Sequence, residues 1–142
     1  MFTKILIANR GEIACRIIAS AKKMGIATVA VYPPDDENSL HTRRCDEARK
    51  LPGRGVSAYL DAAQLVAAAV ETGCDAVHPG YGFLAENAEF AAACESAGLV
   101  FVGPTPESLR LFGQKGAARA FAGRHGVPVT LGTSGATDLA SA

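Results

Sequence analysis

Thr3 to Gly25, "TKILIANRGEIACRIIASAKKMG", changes its hydrophobic period partway along, and that change decides the fold. Ile5 to Ala8 form an unbroken apolar run, as a strand covered on both faces requires. From Gly11 onward, Ile13, Ile17, Ala21 and Met24 recur at helical spacing, with Glu12, Arg16, Lys22 and Lys23 falling elsewhere. Gly25 supplies the left-handed residue that closes a helix, and "IATVAVY" follows as a second strand. The opening is therefore strand, turn, helix, strand.

The same grammar repeats downstream. Asp61 with Gln64 resembles a capping box ahead of Leu65, Val66, Ala69 and Val70, Gly73 ends that helix, and "CDAVH" is the next strand. Phe90, Ala93, Cys94 and Ala97 mark another helix, closed by Gly98 before the strand "LVFVG". Thr105 as N-cap and Pro106 at the first helical position open a short helix through Phe112, and a further helix runs from about Lys115 to Arg124. Strands and helices alternating at this length predict an α/β fold with a doubly wound, mainly parallel sheet. Two stretches fit less well. "PPDDENSLHTRRCDEARKLPGRGVSAYL" is polar and turn-rich, with a short helix expected near Ser39 to Cys45. "VPVTLGTSGATDLASA" begins like a strand and then turns small and polar, as if cut within a domain.

Bulk composition narrows the function classes. The chain of 142 residues carries 14 Lys and Arg against 14 Asp and Glu, so it shows no electrostatic footprint for nucleic acid or an acidic membrane. The longest apolar run, "LVAAAV", is too short to span a bilayer, and the start lacks the leader pattern of a secreted protein. Cys15, Cys45, Cys74 and Cys94 are scattered without a C-x-x-C pair and read as reduced thiols, although His41 and Cys45 share a helical spacing. A cytoplasmic protein is expected.

Ligands of open α/β sheets bind beyond the carboxyl ends of the strands. Three stretches occupy such ends: "NRGE", "PPDDE" and "HPGYG". The first has a single glycine, Gly11, and lacks the G-x-G-x-x-G that lets a backbone approach a pyrophosphate; no Walker A motif occurs either. Asp35 and Asp36 are read as a solvated turn. "HPGYGFLAEN", His78 to Asn87, is richer: Gly80 and Gly82 permit close backbone approach, Tyr81 offers a ring and a hydroxyl, and Phe83 and Leu84 anchor the loop. Glu86 and Asn87 lie at a helix start, where free N–H groups favour a carboxylate. The pattern alone does not decide between a ligand-facing loop and a capped tight turn. Nor does spacing lift Lys115, four residues before Arg119, above an ordinary solvated cation.

Taken together, "KILIANRGEIACRI", "GIATVAVY", "HPGYGFLAENAEFA" and "LVFVGPTPESLRLFGQKGAAR" resemble the N-terminal region of biotin carboxylase, the ATP-dependent component of biotin-dependent carboxylases such as acetyl-CoA carboxylase. The similarity runs from residue 2 to about 132 and is weakest across "RKLPGRGV". It implies a Rossmann-like pre-ATP-grasp domain over residues 1–103, a helical connector over 104–129, and the truncated start of the ATP-grasp lid over 130–142. It also implies an enzyme that uses ATP, Mg2+ and bicarbonate to carboxylate biotin held on a carrier protein or domain, with a carboxyltransferase as the next partner.

Carried over by position, Lys115 matches the connector lysine that contacts ATP phosphates. Tyr81 and Gly82 match the substrate-side loop at the biotin and bicarbonate end, with His78 and Glu86 holding that loop. Asn9, Arg10, Gly11 and Glu12 match a structural strand–helix junction. Gln114 stands where the family commonly has aspartate. Arg16 keeps part of the family's dimer surface while Ala19 and Lys23 alter it, which leaves homodimerisation open. The glycine-rich lid and the metal ligands of the family belong to sequence after residue 142, so these residues alone are expected to be inactive. Two other readings compete: a non-catalytic α/β binding module, and another ATP-grasp ligase of the carbamoyl phosphate synthetase type.

Overall fold

A computed structural model describes residues 2–131. Five strands form one parallel sheet: β1 (Lys4–Ile7), β2 (Ala27–Tyr32), β3 (Glu47–Lys50), β4 (Ala76–His78) and β5 (Val100–Phe101). Their spatial order is β3-β2-β1-β4-β5. The chain thus builds outward from β1 in one direction and then crosses to its other side, so strand order reverses between β1 and β4.

Alternation along the strands assigns the two faces. Leu6, Ala8, Val29, Val31 and Val77 point into the larger core, where α4 (Ala62–Glu71) and α5 (Ala88–Ser96) contribute Leu65, Ala69, Phe90 and Cys94. Ile7 points to the other side, where α1 (Gly11–Lys23) brings Ile13, Ile17 and Ile18, and Ile5 and Ala76 meet Ala21 of the same helix. Burial on both faces explains why β1 carries an unbroken apolar run.

The helix signals act as their chemistry requires. Asp61 accepts a hydrogen bond from the Gln64 N–H at 3.0 Å, and Asn87 accepts one from the Phe90 N–H at 2.9 Å. The Asp61–Gln64 pair is not a full capping box, because Gln64 Nε2 donates to the Asp61 carboxylate at 2.6 Å rather than the side chain reaching a backbone N–H. Thr105 caps α6 (Pro106–Gly113), and α7 (Lys115–Arg124) follows directly.

Three expectations are corrected. The polar stretch after β2 holds more structure than a single short helix: a 3-10 turn at Pro34–Asp36, α2 (Leu40–Arg44), β3, and α3 (Gly55–Ala58). β3 shows no apolar alternation because it is the sheet edge and every residue of it is exposed. Ion pairs Lys4–Glu47, Lys50–Glu37 and Arg49–Glu71 stitch it down, and its charges blunt an edge that would otherwise pair with other chains. Val127 to Leu131 form no strand; Val127, Val129 and Leu131 are exposed and pair with no strand among the described residues. The rest of the expected lid segment lies outside the described residues. Asp36, expected in a solvated turn, is partly buried and ties loops together, while Asp35 stays exposed and accepts the Gly55 N–H, as described next.

Candidate ligand site at the sheet switch point

The reversal of strand order between β1 and β4 places the residues after each strand side by side beyond their carboxyl ends, where such sheets bind ligands. After β1 comes Ala8–Asn9–Arg10; after β4 comes Pro79–Gly80–Tyr81–Gly82. The Ala8 N–H donates to the His78 carbonyl at 2.9 Å, continuing the ladder one step past the strands.

Asn9 then locks the two ends together. It is 4% exposed, and its Nδ2 donates to the Pro79 carbonyl at 2.8 Å and to the Tyr81 carbonyl at 3.0 Å. Its Oδ1 accepts the Arg10 N–H at 2.9 Å. The fit against Gly80 is close: a Cβ there would lie 2.6 Å from Asn9 Nδ2, at a φ of 70° that L side chains rarely adopt. Glycine is required at this position for both reasons.

The far end of the loop is held from beneath. Leu84 is buried, and Phe83 stacks on Tyr59 with ring centroids 5.5 Å apart. Phe83 has a φ of 41°, the one positive value among the described non-glycine residues. Tyr59 is fully buried, its hydroxyl donates to Asp36 Oδ2 at 2.9 Å, and Arg10 donates to the same carboxylate at 3.2 Å while its guanidinium sits 5.9 Å from the Tyr59 ring centroid. Ser39 Oγ donates to the other carboxylate oxygen. Burial raises the Asp36 pKa, but the hydrogen bonds from Tyr59, Arg10 and Ser39 outweigh it and hold the carboxyl below its ordinary value. Asp35 accepts the Gly55 N–H, fixing the start of α3. Asp36 is therefore a buttress, bonded directly to Arg10 and, through Tyr59 and its stack on Phe83, to the 78–87 loop. No alternation or cap pattern could have disclosed it, because its partners Arg10 and Tyr59 lie 26 and 23 residues away in sequence.

The site residues named from sequence do not share one hollow. Tyr81 is 63% exposed, and Gly82 is exposed beside it. His78 Nδ1 accepts the Gly80 N–H at 3.0 Å, which requires the tautomer with its proton on Nε2. Burial, aided by Arg16, lowers the His78 pKa and favours that neutral ring. Its ring also lines an apolar hollow of about 320 Å³ on the α1 side, together with Ile5, Arg16, Ile17 and Val102. Glu86 is exposed, makes no side-chain hydrogen bond among the described residues, and faces α6 across a hollow of about 230 Å³ with Pro104, Ser108, Leu109 and Phe112. Lys115 lies at the first position of α7 and lines a separate hollow of about 500 Å³ with Phe112, Arg119 and Val129. Phe112 is the residue common to the last two hollows. No hydrogen bond among the described residues joins Lys115 to the 78–87 loop.

No three His, Cys, Asp or Glu side chains among the described residues are grouped to hold a metal ion, and His41 faces the Val31 carbonyl rather than Cys45. Burial raises the Cys45 and Cys74 thiols and pushes Cys94 up to about 11, the opposite of an activated nucleophile. No described helix is long and apolar enough to cross a membrane.

Comparison with known proteins gives the geometry a context. The subunit alpha of rice (Oryza sativa subsp. japonica) mitochondrial methylcrotonoyl-CoA carboxylase is 49% identical over 134 residues, 94% of this chain and 18% of that protein. A solved biotin carboxylase domain of a single-chain bacterial carboxylase superposes with a TM-score of 0.93 at 59% identity, covering 97% of this chain and 32% of its own. The biotin carboxylase domain dimer of Hydrogenobacter thermophilus 2-oxoglutarate carboxylase, solved with MgADP, ADP and bicarbonate, gives 0.92 at 44% identity, covering 95% of this chain and 30% of its own. The chain thus spans less than a third of the length of each. The family described as "Biotin carboxylase, N-terminal domain" matches residues 1–109, so the chain belongs to the N-terminal domain family of biotin carboxylases.

Proposed function

We propose that this chain forms the first part of a biotin carboxylase whose remaining machinery lies in further sequence. The whole enzyme would carboxylate biotin, carried on a protein or domain, from bicarbonate and ATP, and hand the carboxyl group to a carboxyltransferase. The observation that carries this reading is the loop gripped by Asn9 and Tyr59, which presents Tyr81 and Gly82 outward at the switch point of the sheet. Tyr81 and Gly82 would face the biotin and bicarbonate end, with His78 holding the loop. Lys115 would meet the ATP phosphates from its hollow. A homodimer through the Arg16 face is compatible with this assignment.

The described residues do not fit Mg2+, since they offer no carboxylate grouping to hold it. Phosphoryl transfer depends on positioned cations around developing phosphate charge, which one lysine does not supply. The 142 residues alone are therefore assigned no turnover. We further assign residues 1–103 to the sheet domain, 104–129 to the connector and 130–142 to the start of the lid: β5 completes the sheet at Phe101, and α6 opens at Pro106. The thiol chemistry suits a reducing compartment such as the cytoplasm.

The test is ADP release that depends on both biotin and bicarbonate, measured on the polypeptide encoded by the full reading frame containing these residues, beside the 142-residue chain. The full polypeptide should turn over and the short chain should not. Lys115→Ala should raise KM for ATP about ten- to a hundredfold, the loss of a charge-assisted hydrogen bond, and Tyr81→Ala should act on biotin instead. Parental constants in both variants would refute the site roles; no turnover by the full polypeptide would favour a non-catalytic module.

A further inference from the structure

Asn9 does more than join two strand ends. Its carboxamide bonds the carbonyl of Tyr81, and that carbonyl belongs to the Tyr81–Gly82 peptide. The peptide is trans, and in a planar trans unit the C=O and N–H point in opposite directions. Turning the carbonyl inward to Asn9 therefore turns the Gly82 N–H outward. That N–H donates to no protein atom among the described residues, and neither do those of Phe83 and Leu84, whereas the next, Ala85, donates to the Gly82 carbonyl at 2.8 Å. The loop is thus gripped on both sides of a short run of free donors.

We propose that Asn9 is a positioning residue: by fixing the plane of the Tyr81–Gly82 peptide, it aims the Gly82 N–H at a carbonyl or carboxylate oxygen of the substrate. The inference rests on the function proposed above, in which Tyr81 and Gly82 face biotin and bicarbonate. It assigns to a buried side chain that meets no substrate a share of substrate affinity. The carboxamide is specific to the task. Its NH2 supplies two donors for two carbonyls, and its oxygen an acceptor for Arg10, a combination that a carboxylate of the same shape cannot reproduce. Asn9→Asp would set an anion against the Pro79 and Tyr81 carbonyl oxygens and release the peptide plane.

The experiment uses the polypeptide of the full reading frame, with steady-state kinetics against free biotin, bicarbonate and ATP in turn, and thermal melts alongside. Misalignment of the Gly82 N–H in Asn9→Asp should raise KM for biotin or bicarbonate about tenfold, with KM for ATP changed less than about twofold. A purely structural role would lower the melting temperature and active fraction while leaving every KM parental. If Asn9→Asp does not fold, Gly80→Ala carries the same expectation, because its Cβ presses on Asn9 Nδ2 from the loop side. An active parent with a parental KM for biotin and bicarbonate in the folded variant overturns the positioning role and leaves the proposed function standing. An inactive parent overturns both.

Discussion

Tyr59→Phe isolates the hydroxyl that the buttress depends on. The substitution keeps the ring, so the stack on Phe83 and the guanidinium of Arg10 above it remain, and it deletes only the 2.9 Å bond to Asp36. A hydrogen bond to a charged group contributes about 1.5–3 kcal/mol net. Asp36 keeps Arg10 and Ser39, each at 3.2 Å, and its side chain is 18% exposed, so water can take the vacated position. The lower part of the range applies, about 1.5–2 kcal/mol. For a two-state domain of this length that is a fall of about 5–7 °C in melting temperature.

The pH dependence provides an independent arm. The Tyr59 bond is the largest of the contributions that lower the Asp36 pKa, so its loss raises that pKa. A carboxylate with a depressed folded pKa stabilises above its unfolded value and loses that stabilisation as pH falls through the folded one. The gap between parent and Tyr59→Phe should therefore be full at neutral pH and narrow as pH falls below the unfolded value of 3.8, with Asp36 protonating first in the variant and then in the parent. Urea unfolding of the 142-residue chain across that range reads both effects. A variant within about 0.5 kcal/mol of the parent at pH 7, the scatter of a neutral surface change, would show that the hydroxyl is not engaged and that the buttress is misassigned.

Two further predictions concern the core and the histidines. Leu65 on α4 is fully buried among Leu6, Ala69 and Phe90, so Leu65→Ala should cost about 2–5 kcal/mol, read as a lowered urea midpoint with unchanged slope. His41 and His78 both have pKa values lowered by burial, so each resists protonation in the folded chain. Stability from such groups is complete above their unfolded value of 6.5 and declines below it, by at most about 1.4 kcal/mol per pH unit for each histidine. Unfolding midpoints equal at pH 7.5 and 5.5 would contradict that burial.

What the sequence discloses, and what it withholds, follows from how far each interaction reaches along the chain. β1, α1 and β2 are legible because a continuous apolar run giving way to helical spacing is a local signal, and the family resemblance rests on that stretch, on His78 to Ala91 and on Leu99 to Arg119. Caps at Asp61, Asn87 and Thr105 are legible because a cap bonds within three residues. β3 is not, since an exposed edge strand held by ion pairs has no reason to alternate. The buttress is hidden for a different reason: Asp36 looks like any turn acid until the sheet folds and brings Arg10 and Tyr59 to it. Asn9 can be placed at a strand–helix junction, but its grip on Pro79 and Tyr81 spans 70 and 72 residues and exists only because β4 docks beside β1.

This difference in reach also divides the candidate site mechanically. The Tyr81 side is braced by buried groups: Asn9, Tyr59 and Leu84 are each at most 6% exposed. The Lys115 side is not. α7 buries no residue, α6 buries only Pro106, and the two helices meet through the edge-on pair Phe112 and Phe121, 5.6 Å apart, with Phe112 itself 57% exposed. α6 reaches the sheet domain through Leu109, packed on the larger core, and an exposed Arg110–Glu89 pair that contributes at most about 1 kcal/mol. Segments with so few buried contacts open locally at low cost, whereas the braced loop opens only with the core. Within this chain, the loop that presents Tyr81 is thus held in shape by the sheet domain's own core, while the helix pair that carries Lys115 is fixed by few contacts of its own.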